Sequence, residues 1–321
     1  MPAKRPRFGL KVAQMGGTFR EIRDAWLEAD RLGFDTAWAH DHLLNQNDHA
    51  KHEDEGWTIL AALLTEAPRI RGGLMVTANT FRHPAVLAKI ATTVDVVSKG
   101  RVEVGLGAGW HEDEHRQYGL PLPPLGERMR RLEEACRILR ALWTEPRATV
   151  EGTYYQVREA YHEPKPVQRP HPPLVLGTSG EKVGLRIVAR HAQEWNMSKG
   201  TPDEFRRLST LVDDFCREAG RDPASVERSI QFGADALQGG AAPLVALSRE
   251  FVAAGATHLI YTCPIPYSAA GARRLWHEVV TPLRGRAPRD ERIGPAASPR
   301  LIPPGWRARS CRSPYGSWPP G

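Results

Sequence analysis

Two periodicities of hydrophobic residues alternate along the chain from Phe8 to about Leu283. Short apolar segments typical of strands are each followed by a stretch in which apolar residues recur every three or four positions, as on one face of a helix. The pattern predicts strands at residues 8–14, 36–40, 74–77, 102–106, 174–176, 194–198, 226–234 and 257–262. It predicts helices at about residues 22–32, 57–64, 84–94, 129–143, 182–190, 202–219, 242–254 and 272–283.

Eight strand–helix pairs in about 280 residues indicate an α/β protein with a parallel sheet. The number of pairs favours a (β/α)8 TIM barrel, with a doubly wound sheet as the alternative, because periodicity does not show whether a sheet closes. A proline-rich insertion at residues 149–173 separates the fourth strand from the fifth and predicts a loop or a short hairpin. In such barrels the active site lies where the strands end, so those segments are the ones to search for chemistry.

The charge of +7 at pH 7 is concentrated at the C-terminus. Residues 284–321 contain eight arginines and two acids, which leaves 36 basic and 35 acidic residues in 1–283. The same segment has eight prolines, five glycines and few aliphatic residues, so it has too little apolar surface to order itself. We therefore predict a barrel domain at 1–285 and a disordered Arg/Pro/Gly-rich tail at 286–321, either a regulatory arm or an extension without a role. The near-neutral barrel argues against nucleic acid as a partner.

Composition narrows the cellular setting. Of the residues, 41% are hydrophobic and 25% are charged, as in ordinary globular proteins. No run of eighteen apolar residues predicts a membrane span, and the first twelve residues lack the apolar stretch of a signal peptide. The four cysteines are far apart and form no C-x-x-C pair, which is typical of reduced thiols in the cytoplasm.

Polar and glycine-rich segments follow several of the predicted strands. His40, Asp41 and His42 follow the second strand, where imidazoles beside a carboxylate suit acid–base chemistry or form a hydrogen-bonded cluster without a catalytic role. Residues 105–109 (Gly-Leu-Gly-Ala-Gly) follow the fourth strand and either admit a flat ligand or make a tight turn. Residues 177–181 (Gly-Thr-Ser-Gly-Glu) follow the fifth strand and predict an anion site at a helix start, or only a helix cap.

Residues 111–115 (His-Glu-Asp-Glu-His) match the H-E-x-x-H pattern of zinc proteases. The match lies at a strand-to-helix turn directly after Trp110 and not within an apolar helix, and no suitably spaced third ligand follows. We therefore predict no metal at His111 and His115.

Five segments together resemble one family. They are residues 30–35 (Asp-Arg-Leu-Gly-Phe-Asp), 39–42 (Ala-His-Asp-His), 76–84 (Val-Thr-Ala-Asn-Thr-Phe-Arg-His-Pro), 98–110 (Ser-Lys-Gly-Arg-Val-Glu-Val-Gly-Leu-Gly-Ala-Gly-Trp) and 192–196 (Ala-Gln-Glu-Trp-Asn). In this order they resemble the bacterial-luciferase-like flavin and deazaflavin oxidoreductases, and in particular the branch that depends on the deazaflavin coenzyme F420. The resemblance extends over residues 8–283 and excludes the tail.

The resemblance implies a barrel with the cofactor ring in its mouth. It implies that Asp41 and His42 lie beside the ring, with His42 as proton donor or acceptor and Asp41 holding His42 or the ring. It also implies a cofactor site that includes a bulge with a non-prolyl cis peptide at Met75 and Val76. The other implied contacts are Thr77 and Asn79 at the ring edge, Gly107, Ala108 and Gly109 at the side chain of the cofactor, and Gly177, Thr178, Ser179 and Gly180 at its phosphate.

The function that the resemblance implies is hydride transfer between F420 and a small organic substrate. The alternative is an FMN-dependent monooxygenase that uses oxygen and a separate flavin reductase; a binding protein without catalysis is a third class, and a homodimer is left open. Two departures concern the substrate. Gln46 and Trp110 stand where the sugar-phosphate dehydrogenase branch has tryptophan and glutamate, which argues against glucose 6-phosphate and favours a larger, less charged substrate.

Overall fold

The structure is a computed structural model that describes residues 5–284. The predicted tail at 286–321 lies outside the described residues. The strands, in chain order, are β1 (Arg7–Lys11), β2 (Thr36–Ala39), β3 (Arg71–Leu74), β4 (Thr77–Ala78), β5 (Val102–Gly107), β6 (Ala148–Glu151), β7 (Gln156–Ala160), β8 (Leu174–Gly177), β9 (Glu194–Met197), β10 (Glu227–Phe232) and β11 (His258–Thr262).

The main sheet closes on itself. Its order is β3-β2-β1-β11-β10-β9-β8-β5, with every neighbouring pair parallel, and β5 pairs with β3 as well as with β8. The short β4 continues the third barrel position after β3 and pairs with β5. The predicted eight-position (β/α)8 barrel is therefore confirmed, and the doubly wound sheet is excluded because it would leave two open edges.

Ten α-helices surround the barrel in the part of the chain that the structure describes. They are α1 (Phe19–Leu32), α2 (Gly56–Glu66), α3 (Pro84–Val97), α4 (Glu112–Gln117), α5 (Leu125–Thr144), α6 (Gly184–His191), α7 (Pro202–Glu218), α8 (Ala241–Ala253), α9 (Ala269–Leu275) and α10 (Thr281–Arg284), with a π-helical turn at Trp276–Val280 between the last two. Thr18 and Glu21 form a capping box at the start of α1, and Gly33 ends that helix with φ of 91°. Between residues 5 and 284, no helix combines the length and apolar character needed to cross a bilayer.

The third barrel position differs from its prediction. The pattern predicted one strand at 74–77, whereas the structure has two strands separated by Met75 and Val76, whose peptide bond is cis. The glycines of β3 hid the first of them, because glycine weakens strand signals. A Cβ on Gly73 would lie 2.0 Å from the carbonyl oxygen of Glu103, so close strand contact requires glycine there.

The apolar interior consists of two clusters. The larger lies between the strands and the helices and includes the outward residues Ala37 and Ala39 of β2. The smaller contains Trp38, Met75, Val175 and Ile260, with Val76 packed against it. Trp38 lies between the two alanines in sequence, and neighbouring strand residues face opposite sides, so the smaller cluster fills the inside of the barrel below its mouth.

The insertion between the fourth and fifth barrel positions forms an antiparallel hairpin of β6 and β7, which was one of its two predicted forms. Another boundary differs from expectation. Helix α6 begins at Gly184 and not at residue 182, so residues 182 and 183 separate the predicted anion-binding segment 177–181 from the first helical turn.

Candidate active site at the barrel mouth

A cavity of about 460 Å³ opens at the carboxyl ends of the barrel strands. Its size is within the usual range for small-molecule sites. Asp41 and His42 enter it after β2, and Met75 and Val76 enter it from the break in the third position. The structure thus brings these four predicted residues together, although up to 35 positions separate them in sequence.

The two glycine segments line the same cavity beside Val76. Gly107, Ala108, Gly109, Gly177, Thr178 and Ser179 all reach it. A Cβ at Gly107 would lie 2.7 Å from Cγ2 of Val76, and one at Gly177 would lie 3.2 Å from its Cγ1. Val76 is therefore packed between two glycines, which carry no side chain. Its isopropyl group forms an apolar surface in the cavity.

Three predicted residues do not line this cavity. Thr77 is fully buried and accepts a hydrogen bond of 3.0 Å from the indole N–H of Trp57. The side-chain amide of Asn79 donates to the Tyr155 hydroxyl in a neighbouring cavity of about 280 Å³. Because Val76 and Ala78 face the mouth, alternation turns Thr77 and Asn79 away from it. Gly180 is exposed, and its N–H donates to the Thr178 hydroxyl.

His42 is held by a residue that sequence reasoning missed. Its Nδ1 lies 2.9 Å from both carboxylate oxygens of Glu114, which also accept from the backbone N–H groups of Leu43 and Leu44. Burial alone would raise the pKa of Glu114, but the hydrogen bond and charge of His42 and the backbone donors lower it below its ordinary value. An ionised carboxylate only accepts, so Nδ1 carries the proton. The amide of Gln46 donates to Nε2 at 2.8 Å, which leaves Nε2 as the basic nitrogen of this ring.

Asp41 does not hold His42. Its carboxylate forms a two-point ion pair with Arg82, at 2.5 and 3.0 Å, and accepts from the N–H of Ala78. Burial raises the pKa of Asp41 to about 6, against the opposing effect of Arg82. Of the two predicted roles of Asp41, holding His42 is not seen, because Arg82 binds both carboxylate oxygens. A contact of Asp41 with the cofactor ring stays a prediction. Arg82 belongs to the segment 76–84 that carried the resemblance, but nothing in sequence linked it to Asp41.

His40 lies in the same turn as His42 but does not line the cavity. The ring centroids of His40 and His42 are 4.8 Å apart, because β2 ends at Ala39 and the two histidines lie in the following turn. His40 is buried and its Nε2 lies 2.5 Å from Oε1 of Glu53. Burial, and then the charges of His42 and Lys11, lower the pKa of His40 well below 6.5, while burial and Glu114 raise that of Glu53 to about 8. The pair is thus a protonated carboxyl that donates to a neutral imidazole.

Lys11 also lines the cavity, from the carboxyl end of β1, and sequence reasoning missed it. Its ammonium donates at 3.3 Å to the side-chain oxygen of Gln231 on β10. Burial lowers the pKa of Lys11 to about 8. The signal for it was an ionisable residue between two apolar neighbours, Leu10 and Val12, in the first predicted strand.

His111 and His115 have roles in the start of α4. His111 accepts from the N–H of Glu114 as the helix cap. His115 contacts the carbonyl oxygen of His111 through Nδ1 at 2.6 Å and the hydroxyl of Thr80 through Nε2 at 2.7 Å. Within residues 5–284, no group of three or more His, Cys, Asp or Glu side chains is placed to hold a metal ion. The absence of a metal at this pair stays a prediction.

Comparison with known proteins finds relatives in two groups, F420-dependent dehydrogenases and an FMNH(2)-dependent monooxygenase. The chain is 34% identical to the F420-dependent glucose-6-phosphate dehydrogenase of Microbacterium testaceum, over 69% of this chain and 66% of that protein. It is 30% identical to the FMNH(2)-dependent dimethylsulfone monooxygenase of Pseudomonas putida, over 62% of this chain and 53% of that protein. The chain thus spans about half to two thirds of the length of these curated relatives.

Solved structures agree on the fold. An F420-dependent secondary alcohol dehydrogenase, solved with an F420–acetone adduct, superposes with a TM-score of 0.77 at 19% identity, over 88% of this chain and all of that one. The F420-dependent tetrahydromethanopterin reductase of Methanopyrus kandleri gives 0.73 at 18% identity, over 87% of this chain and 99% of that one. The sequence matches the luciferase-like monooxygenase family over residues 5–278. With this match across the whole barrel, the chain belongs to the luciferase-like monooxygenase family.

Proposed function

We propose that this protein is an F420-dependent oxidoreductase that transfers a hydride between the deazaflavin and a small organic substrate. The observation that carries the proposal is His42, which lines the cavity, accepts from Gln46 at Nε2 and donates from Nδ1 to Glu114. The F420-dependent relatives support the choice of cofactor. The substrates named for those relatives are not assigned to this chain.

The residues of the mouth fit a flat ring with a phosphorylated side chain. Val76, packed between Gly107 and Gly177, presents an apolar face on which a planar ring can lie. Thr178 and Ser179 offer hydroxyls at the other end of the same wall, and the indole of Trp195 fixes the loop by donating to the carbonyl oxygen of Thr178 at 2.7 Å. We assign the ring to the Val76 surface and the phosphate to the segment from Gly177 to Gly180.

The cofactor, when bound, supplies the hydride acceptor or donor. His42 takes or gives the matching proton at Nε2, as a general acid or base. Glu114 is a positioning residue: it keeps the proton on Nδ1 and stabilises the imidazolium that forms when Nε2 gains a proton. Asp41, tied to Arg82, fixes the turn that carries His42.

A second candidate is an FMN-dependent monooxygenase, favoured by the similarity to the dimethylsulfone monooxygenase. This reaction would need reduced FMN from a flavin reductase as partner. A homodimer and a cytoplasmic location also remain proposals; the free, buried thiols of Cys136, Cys216 and Cys263 are compatible with a reducing compartment.

Fluorescence titration of the purified protein with F420 and with FMN tests the proposal. We expect F420 to bind at least about tenfold more tightly than FMN. Gly177→Asp should weaken F420 binding by about a hundredfold or more, because it adds a carboxylate where the phosphate approaches. The matched control Ser179→Ala removes one neutral hydrogen bond and should cost about threefold to tenfold.

Each alternative outcome has a separate meaning. Tighter binding of FMN would replace the first function by the second. Binding of neither cofactor would overturn both and favour a protein without redox chemistry. Equal F420 affinity for Gly177→Asp and the parent would place the phosphate elsewhere and leave the cofactor assignment standing.

A further inference from the structure

Two lysines line the mouth and have no part in the proposed chemistry: Lys11, which is half-buried, and Lys199, which is exposed at the rim. Arg82 neutralises Asp41, and Glu114 is shared among His42 and two backbone N–H groups. For Lys11 the contact is a neutral amide oxygen, that of Gln231, and its pKa reflects burial without a compensating carboxylate. Within the described residues that line the cavity, Asp41 and Glu114 thus have partners, whereas the half-buried ammonium of Lys11 has no ionic partner.

A buried ammonium without a counterion is costly unless a ligand supplies the missing charge. The fold holds Lys11 in place, because β1 pairs on both sides, with β11 and β2, up to or near this residue. Its ammonium influences the pKa of His40, whose ring contacts that of His42. An anion on Lys11 would therefore be bound next to the group that moves the proton.

The rest of the cavity has the opposite character. Trp110, Leu125, Met129 and Leu132 line its outer wall, and Trp110 and Leu125 are largely exposed at the rim. A ligand that satisfies both ends has an apolar body toward these residues and a negative oxygen group at the floor. This adds an anionic group to the larger, less charged substrate that Trp110 predicted from the sequence.

We propose that Lys11, assisted by Gln231, binds an anionic oxygen group of the organic substrate, so that the enzyme selects apolar carboxylic acids or similar oxyanions. The inference rests on the proposed function, which assigns the cofactor to the wall at Val76 and thereby makes the ligand at Lys11 the substrate. A free substrate anion and the cofactor's own phosphate share this chemistry, and the experiment separates them.

The test uses two pairs of probes matched in size and differing in charge: benzoate with benzyl alcohol, and hexanoate with hexanol. Binding to the cofactor-loaded protein is followed by cofactor fluorescence. We expect the wild type to prefer each acid over its alcohol by about tenfold or more, as for a hydrogen bond to a charged group. Lys11→Met should abolish the preference, Lys11→Arg should keep part of it, and Lys182→Met, which removes an exposed lysine outside the cavity, should keep all of it.

Other results overturn the inference. One is an equal affinity of the wild type for acid and alcohol, and another is retention of the preference in Lys11→Met. A third is loss of the preference in Lys199→Met, which would place the anion at the exposed lysine on the rim of the cavity. A loss of F420 affinity in Lys11→Met of more than about tenfold would assign Lys11 to the cofactor phosphate. Failure of the proposed function is distinguishable, because then the wild type binds neither F420 nor FMN, or binds FMN more tightly than F420.

A measurement on the unmutated side chain guards against loss of folding in the variants. Reductive methylation with a ¹³C label gives each lysine its own NMR signal, and the signal absent from Lys11→Arg identifies Lys11. It should shift on addition of benzoate and not of benzyl alcohol, with or without cofactor. A Lys11 signal unmoved by benzoate would contradict the proposal.

Discussion

Each end of β1 places a cationic side chain inside the barrel, but the contacts of the two cations differ. At the amino end, the guanidinium of Arg7 contacts the carboxylates of Glu103, Glu194 and Glu227 at 2.5, 3.3 and 2.8 Å. At the carboxyl end, four residues on, Lys11 contacts an amide oxygen. Both side chains point inward, since positions of equal parity on a strand share a face.

The pairing continues around the amino end. Arg71 contacts Glu103 at 2.7 Å, and His258 contacts Glu194 at 3.0 Å. At the mouth, Glu53 keeps one carboxyl oxygen without a hydrogen-bond partner and has a raised pKa. Ion pairs at the closed end thus join neighbouring strands, whereas the open end, beside pairs such as Asp41 with Arg82, leaves Lys11 without an ionic partner. This agrees with the rule that barrel activity and stability occupy opposite faces.

The strongest test of the mouth as a reactive end is His42→Ala. We expect turnover to fall by about a hundredfold to ten-thousandfold, the usual contribution of general acid–base catalysis, with a much smaller change in cofactor affinity. Turnover is followed by the absorbance of the cofactor, with any substrate that the wild type accepts. His40→Ala is the control and should cost less, because His40 bonds Glu53 and does not line the cavity. Loss of turnover in His40→Ala alone would reverse these roles.

The strongest test of the closed end is Arg7→Met. It leaves buried carboxylates without their shared cation, which typically lowers the free energy of unfolding by about 3–5 kcal/mol. Chemical denaturation measures the change. Arg217→Met is the matched control, because it breaks the exposed pair with Asp214 and should cost less than about 1 kcal/mol. A similar small cost for both variants would remove the contrast between the two ends.

A pH-dependent test compares one acid from each end. The folded-state pKa of Glu53 is raised to about 8, so its protonated form favours folding, and this stability is lost as pH rises from about 4.5 to 8. Glu53→Gln keeps a donor for His40 without that loss. Its melting temperature relative to the wild type should rise by about 2–4 °C between pH 5 and pH 8.5.

Glu194→Gln should behave in the opposite sense. Burial opposes the ionisation of Glu194, but His258 and Arg7 prevail and lower its pKa, so its contribution is present above its ordinary pKa and fades as pH falls. The variant should be most destabilised near neutrality and less so in acid. Differences in melting temperature that do not vary with pH would contradict both assignments.

The smallest effect is expected from truncation after Arg286. The sequence predicts that the tail has too little apolar surface to pack, so the melting temperature should stay within about 2 °C and F420 affinity within about twofold. A larger drop in melting temperature would mean that the tail packs against the barrel.

Much of the candidate site was predictable because strand ends in a barrel meet at one face. Asp41, His42 and the glycines at 107 and 177 follow predicted strands, whereas Val76 came from the resemblance to the family. The resemblance also implied Thr77 and Asn79, which do not line the cavity because Val76 and Ala78 take the inward positions there.

The pairing of side chains within the site is the second feature that the sequence did not predict. Sequence drew attention to residues 111–115 as a metal pattern, whereas Glu114 from that segment pairs with His42, 72 positions away. Arg82 and Asp41 are 41 positions apart and share no local pattern. Pairing between side chains depends on distance after closure, and nothing in local periodicity records it.

The sequence by itself determined the number of barrel positions, the order of strands and helices, and the family, because hydrophobic periodicity and short motifs are local properties of the chain. Tertiary structure alone decided which carboxylate holds His42, which residues face the cavity, and which cation has no ionic partner. These features depend on the closure of β3 against β5 and on how deeply each side chain is buried away from water. Both are set only when distant strands come together.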